Sequence, residues 1–322
     1  MLGIAGHSFS SKLFLNRYKA EDIKQNVIEE ECYYFPLPAA IGCDSTHVFV
    51  IDAKDSEIRV FSKSGKYEYS IGKRGQGPGE FSYPSDIDIF DGKIYVADKL
   101  NRRVQVLDKK GNYLNGFKVL FYPQNILVLA NGNILVSHLP LTSLEKEKIV
   151  HCFASDGKLL WENVDSYCSG DNVYDVFANQ IFIERGEDGS FYLMRRFNDR
   201  NVYLFSSSGE LIRIIKVDEK YILRKVLIPT KPNQKKELRG FCWQATMNDK
   251  QFFLLMPEYS KEEMDLIPGK SVALIRMDGR INGVIELPER LNLFCVDSAS
   301  IYGIDTLNYL RFFSIKNEKK SE

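Results

Sequence analysis

The sequence predicts an all-β fold, a six-bladed β-propeller of four-stranded blades, on three observations. One unit recurs: HVFVIDAKDSEIRVFSKSGKYEYSIG (47–72) and KIYVADKLNRRVQVLDKKGNYLNGF (93–117) share an apolar strand ending in Asp (Asp52, Asp98), a polar turn, a second strand, a turn ending in Gly (Gly65, Gly111) and a third strand. The turn glycines continue at Gly157, Gly209 and Gly279, in steps of 46, 46, 52 and 70 residues. A period near 45 built from short strands and tight turns is how a propeller blade is written. Finally, 17 Tyr and 21 Phe crowd short β-branched segments, which is strand composition.

The strands follow in order. Weaker copies of the unit are NILVSH with IVHCFASDGKLLWE, then FYLMRRFNDRNVYLFSSSGELIRIIKV, then FFLLMPEYS with SVALIRMDGRINGVIEL, and last SIYGIDTLNYLRFFSIK. Ahead of these units stand SDIDIF, PQNILVLA, NQIFIE, GFCWQATM and LNLFCVD, each supplying the innermost strand of its blade. The last copy has three strands before the chain ends in NEKKSE. Its missing outer strand is assigned to NVIEEECYYFPL (26–37), an N-terminal strand that completes the last blade, closes the ring and leaves no open sheet edge. Residues 1–24 are then an extension, 25–317 a single propeller and 318–322 a disordered tail.

Composition excludes several function classes. Lys plus Arg and Asp plus Glu are equal at 43 each, so no global field draws nucleic acid or an anionic membrane, and no nucleic-acid partner is expected. No run of 18 apolar residues is present to span a membrane, and the first residues lack the basic and apolar regions of a secretory signal. Cysteines at 32, 43, 152, 168, 242 and 295 form no C-x-x-C pair, and four histidines offer little help, so neither a metal nor a cofactor is expected. Cys152 and Cys295 lie in apolar strand-like runs, as small buried hydrophobes do.

The segment GKRGQGPGEFSYPSDI (72–87) invites a phosphate-loop reading, but its glycines alternate at 75, 77 and 79 and lead through Glu80 and Phe81 to a strand. A phosphate loop needs a helix N-terminus and G-K-[ST] after the glycines. Here they serve a turn between blades, with Pro78 fixing one dihedral. Catalytic motifs are equally scarce: no G-x-S-x-G occurs, and His7, His47 and His151 accompany no nucleophile motif.

The segment and the following VADKLNRRVQVLDKKG resemble the NHL repeat, through Gly75, Gly77, Pro78, Gly79, Phe81, Pro84, Asp98, Asn101, Arg103, Gln105 and Gly111. The whole chain looks like the six-bladed propellers abundant in Bacteroides-type bacteria, many of them envelope proteins. That resemblance implies an envelope or periplasmic location, with the cytoplasm as the alternative for a chain without a visible signal. The repeat residues themselves have a structural reading, Asp98 and Asn101 bonding turn amides and Arg103 reaching a neighbouring strand.

Candidate binding residues come from two places. Inner strands give Asp86, Asn125, Asn179, Gln244 and Asp297 as channel-facing, while His138 takes the strand-end position of Asp52 and Asp98. The connections 138–148, 163–178, 217–239 and 257–270 are long and share one face, where function on a rigid scaffold concentrates. One of them carries Arg239 and a basic rim of Lys231, Lys235 and Lys236, suited to an acidic partner or a polyanionic glycan. The expected function is a monomeric binding or scaffolding module for a protein, peptide or glycan. The alternative is a propeller hydrolase or lyase with a polar or metal-containing channel.

Overall fold

Short apolar runs punctuated by Asp and Gly fold as antiparallel meanders in the computed structural model of the chain, which describes residues 16–22, 33–140, 145–217, 224–231, 234–248, 251–260 and 265–317. After β1 (Asn16–Asp22), four meanders stand as separate four-stranded sheets. These are β2–β5 (Pro38–Cys43, His47–Asp52, Glu57–Ser62, Tyr67–Ile71) and β6–β9 (Pro84–Phe90, Lys93–Asp98, Arg103–Asp108, Tyr113–Lys118). Next come β10–β13 (Pro123–Val128, Ile134–His138, Lys148–Phe153, Leu159–Asp165) and β14–β17 (Ile181–Arg185, Phe191–Arg195, Asn201–Phe205, Leu211–Lys216), with helix α1 (Asn172–Ala178) between them. A hairpin, β18–β19 (Arg224–Lys231, Gln234–Gly240), precedes the final strands.

Those final strands depart from the expectation of six separate four-stranded blades. β20–β23 (Gln244–Met247, Gln251–Ser260, Asp265–Arg276, Ile281–Glu286) and β24–β26 (Leu291–Val296, Ser300–Asp305, Leu310–Asn317) belong to one eight-stranded sheet. The reason is β1. It pairs antiparallel with β26, Ala20 opposite Ile315, and parallel with β23, Arg17 opposite Val284, so its two edges sew the two meanders together. An N-terminal strand does complete the last meander, but it is β1 rather than 26–37. Of that predicted segment, 26–32 lie outside the described residues, and Tyr34 makes an isolated bridge to Tyr309.

The leading strands adjoin in the order β2, β6, β10, β14, β20, β24 and back to β2, around a central channel. Apolar side chains fill the wedges between successive meanders: Phe49, Ile51 and Leu107 in one, Phe252, Leu254 and Met194 in another, and Phe61, Tyr302 and Phe312 where the last meets the first. Burying a side chain of this size contributes about 1.5–3 kcal/mol each, so the core is a ring of wedges rather than a single centre. The five turn glycines of the repeat all have φ between 82° and 89°.

The segment after β5 shows why the repeat residues are what they are. Gly72, at φ 85°, passes so close to Phe81 that a Cβ would stand 2.3 Å from its ring. Asp98, fully buried at the end of β7, accepts from the backbone N–H of Ser82 at 2.7 Å, Arg103 Nε at 2.7 Å and Asn101 Nδ2 at 2.9 Å. Arg103 also donates to the carbonyls of Gln76, Gly77 and Glu80 at 2.7–2.9 Å, and Gln105 Nε2 donates to Glu80 O at 2.7 Å. These side chains clamp a glycine-rich crossing onto the next sheet, a structural role as read from the sequence, except that Asn101 donates to the Gly75 carbonyl at 2.8 Å instead of bonding a turn amide.

Candidate functional site

Strand alternation builds the site. Along β6, Ile87 points into the wedge core, whereas Asp86 on one side of it lines the channel. At the end where the leading strands begin, the channel widens into a cavity of about 280 Å³. Its wall divides by chemistry. Ala39, Ile41 and Leu293 on the adjacent β2 and β24 make an apolar arc, and most of the hydrogen-bonding side chains stand on β6, β10, β11 and β20 and on the residues flanking β14 and β15, with Phe182 among them.

Five of the seven sequence-predicted residues meet at this cavity: Asp86, Asn125, His138, Asn179 and Gln244. Their freedom to meet a ligand differs. Asn179 is fully buried and spent on the backbone of Tyr167, accepting from its N–H at 2.7 Å and donating to its carbonyl at 3.0 Å. Asn125 accepts from Ser137 Oγ at 2.8 Å. Asp86 accepts from the backbone N–H of Ile126 at 2.8 Å, and burial pushes its carboxyl up to about 7. Gln244 makes no side-chain hydrogen bond among the described residues.

His138 occupies the strand-end position of Asp52 and Asp98, opposite Pro123 as they are opposite Pro38 and Pro84. Both its ring nitrogens are taken: Nε2 lies 3.2 Å from Glu147 Oε2 and Nδ1 3.2 Å from Nε2 of His151. Phe121 stacks on both imidazoles, and burial, reinforced by the neighbouring imidazole, pushes His151 down to about 4.

The remaining predictions fall elsewhere. Arg239, at the end of β19, is half exposed and donates from Nε to Glu237 at 2.8 Å; its backbone N–H donates to Asn198 Oδ1. Asp297 follows β24 at the opposite end of the channel, where it caps the 297–300 turn and meets Lys63 Nζ at 3.2 Å and the Tyr302 hydroxyl at 2.7 Å. Alternation alone could not tell the two ends of a strand apart. Lys231, Lys235 and Lys236 sit on the β18–β19 hairpin, and their side chains lie outside the described residues.

Two of the long connections are ordered structure. The 163–178 stretch contains α1, whose N-cap Asp171 accepts from the N–H of Tyr174. In the 257–270 stretch, 257–260 and 265–270 are strand: β21 and β22 run on through Pro257 opposite Pro268 to Ser260 opposite Asp265, and 261–264 lie outside the described residues. Phe197 and Leu266 are buried together with Tyr174 and Phe177 packed on them, a small apolar cap beside the mouth.

Sequence reasoning missed Arg196, Gln124 and Gln180. Arg196 lines the cavity directly after β15, donates from Nη1 to Gln180 Oε1 at 2.9 Å, and lies over the Trp243 ring at 4.3 Å. The repeat carried a signal: Arg196 follows its strand as Lys99 follows Asp98, and Lys99 Nζ likewise donates to a glutamine, Gln124 Oε1, at 2.9 Å.

Deeper in the channel the charges are of the other sign. Glu184 on β14 is pushed up to about 8, by burial first and by Asp88 and Asp86 after it, while Asp88 is paired with Arg185 at 2.5 Å. Beyond them Cys43 and Cys295 face each other from β2 and β24. The hydrogen bond from Cys295, followed by the charge of Lys63, pulls the Cys43 thiol down despite burial, and burial holds that of Cys295 well up. Among the described residues, no three His, Cys, Asp or Glu side chains converge as a metal site, and no helix is long and apolar enough to cross a membrane.

Known proteins show the same architecture. An exported-type protein of Bacteroides fragilis is similar over 94% of this chain and 96% of its own, at 12% identity and TM-score 0.60. The virginiamycin B lyase of Staphylococcus aureus matches over 92% and 99% at 11% identity and TM-score 0.53, and the WD40 β-propeller domain of Doa1 over 94% and 98% at 12% and 0.51. At such identities these likenesses show a propeller fold and nothing of its chemistry. In sequence, 108 residues are 22% identical to Protein brain tumor of Drosophila melanogaster, a match that spans 32% of this chain and a tenth of that protein's length. Residues 39–264, more than two thirds of the chain, match the family described as Domain of unknown function (DUF4934), and the chain therefore belongs to that family.

Proposed function

We propose that this chain is a ligand-binding propeller module whose recognition site is the channel mouth on the face of the long connections. In this reading the eight-stranded sheet is two blades sharing β1, which makes six NHL-type blades within residues 16–317. The observation that carries the proposal is the state of the polar groups at the cavity. His138 has both nitrogens engaged, Asn179 is spent on the scaffold, Asp86 is held by the Ile126 amide and the Ser137 hydroxyl by Asn125, so what faces the cavity offers hydrogen bonds rather than an activated nucleophile. A binding role fits that inventory better than the hydrolase or lyase alternative. The β18–β19 hairpin meets the mouth at its Gly240 end, where Gly240 bridges to Phe197 next to Arg196, and Lys231, Lys235 and Lys236 toward its other end would add contacts to a peptide or glycan long enough to follow it out of the cavity. An envelope location belongs to the same proposal.

The test is a thermal-shift screen of small polar solutes, sugars, sugar acids and short peptides against the wild-type chain and Ala39→Phe, which fills the mouth from the apolar arc. A binder is expected to raise Tm in the wild type and to lose that effect in the variant. Hits that stabilise both proteins equally, or that are chemically converted on incubation, would overturn the reading.

A further inference from the structure

We infer that the channel mouth selects an anionic ligand, one bearing a carboxylate, and that Arg196 is the residue that receives it. The inference rests on the channel-mouth site proposed above and assigns its ligand chemistry.

Arg196 is a largely buried guanidinium without a counter-ion. Its Nε is buried with no hydrogen-bond partner, and its described contacts are the neutral Gln180 oxygen and the faces of Trp243 and Phe197. No carboxylate pairs with it among the described residues. Burial accordingly pushes it down to about 10, opposed only by the Cys242 thiol and by no carboxylate. Three other arginines within the fold are paired, Arg103 with Asp98, Arg185 with Asp88 and Arg311 with Asp305, and Arg195 next to it donates to the carbonyls of Ala178 and Asp165. Removing a cation from water without pairing it is costly, and such costs are kept where they serve a site.

The surroundings narrow the ligand. A guanidinium is a planar fork that matches a carboxylate in two parallel hydrogen bonds, and the aromatic face of Trp243 holds that plane still. Gln180 fixes one edge of the group, while no hydrogen bond to Nη2 is found among the described residues. Lys99, which also lacks a carboxylate partner and is lowered by burial, holds Gln124 on the cavity wall and adds positive potential without lining the cavity itself. Nearest in sign conflict is Asp86, but a carboxyl pushed up to about 7 is partly protonated at neutral pH and can donate to a ligand oxygen. The apolar arc of Ile41 and Leu293 then suits the carbon body behind the carboxylate.

The experiment compares malonate, acetate and the neutral malonamide at fixed ionic strength, reading Tm of the wild type, Arg196→Met and Arg196→Lys. The carboxylates are expected to raise the wild-type Tm and malonamide to leave it unchanged. In Arg196→Met the apparent affinity for malonate should fall at least tenfold while the ligand-free Tm holds or rises, because an unpaired buried charge has gone. Arg196→Lys, which keeps the charge but not the fork, should fall between them and serves if the Met variant does not fold. Equal effects of malonate and malonamide, or a malonate effect undiminished in Arg196→Met, would overturn the assignment. A neutral ligand that needs an open mouth, blocked by Ala39→Phe but indifferent to Arg196, would overturn the anion and leave the channel-mouth reading standing. A malonate effect lost in Arg196→Met yet kept in Ala39→Phe would overturn both.

Discussion

Replacing Glu184 with Gln should stabilise the protein in alkaline solution and leave it nearly unchanged in acid. Glu184 sits in the channel with Asp88 and Asp86 nearby and is raised from 4.5 to about 8, mainly by burial. A carboxyl raised on folding favours the folded state at low pH: that contribution is fully present below 4.5 and is lost as pH rises to about 8. In between, the unfolded chain releases the proton while the folded chain retains it, and stability falls by at most about 1.4 kcal/mol per pH unit, about 5 kcal/mol in all. Water reaching the group from the cavity reduces the figure, and about 2 kcal/mol is the expected difference. Gln carries no proton to lose, so Glu184→Gln should match the wild type at pH 5 and exceed it by about that amount at pH 9, read as urea midpoints across the range. A wild-type and variant difference that is the same at pH 5 and pH 9 would show that Glu184 is ionised in the folded protein and refute the argument.

Two further outcomes follow from packing. Arg103→Ala strands the fully buried Asp98 carboxylate and releases three backbone carbonyls of the 72–81 crossing; it should cost about 3–5 kcal/mol in chemical denaturation and open that segment to protease before the rest of the chain. Iodoacetamide at neutral pH should label Cys43 well before Cys152 and Cys242, whose thiols burial pushes up to about 12, and peptide mass spectrometry will show reversed order if Lys63 does not assist Cys43.

Much of this architecture is legible in the residues because the repeat is redundant. An Asp at a strand end, a Gly in the following turn and alternating apolar positions recur until each strand is predictable from its neighbours. β1 escaped that logic: NRYKAED is polar, with Ala20 buried and the residues around it largely exposed, because its place depends on backbone pairing to two waiting edges rather than on an apolar face. The β21–β22 extension hid for a related reason, since prolines at 257 and 268 and the charged KEEMD between the strands read as a loop. At the site, alternation aims Asp86, Asn125 and Gln244 at the channel, and all three line the cavity. It could not show that Asp297 lies at the far end, nor that Arg196, one of several charges in RRFNDR, is the one that lines the cavity with a buried Nε left without a partner.

The position of β1 also sets an order of events for folding. Glu21 and Lys316, 295 residues apart, form an ion pair across the β1–β26 seam, so this pairing cannot form until nearly the whole chain has been made. Contacts of such sequence separation are slow to find, whereas each meander pairs locally and quickly. The ring should therefore assemble as an open arc and shut last. Once shut, it opens by peeling one seven-residue strand from two partners, one parallel and one antiparallel. The lifetime of the folded state is then governed by that strand together with the Phe61, Tyr302 and Phe312 wedge, and the amide hydrogens of β1 should exchange no slower than the arc reopens.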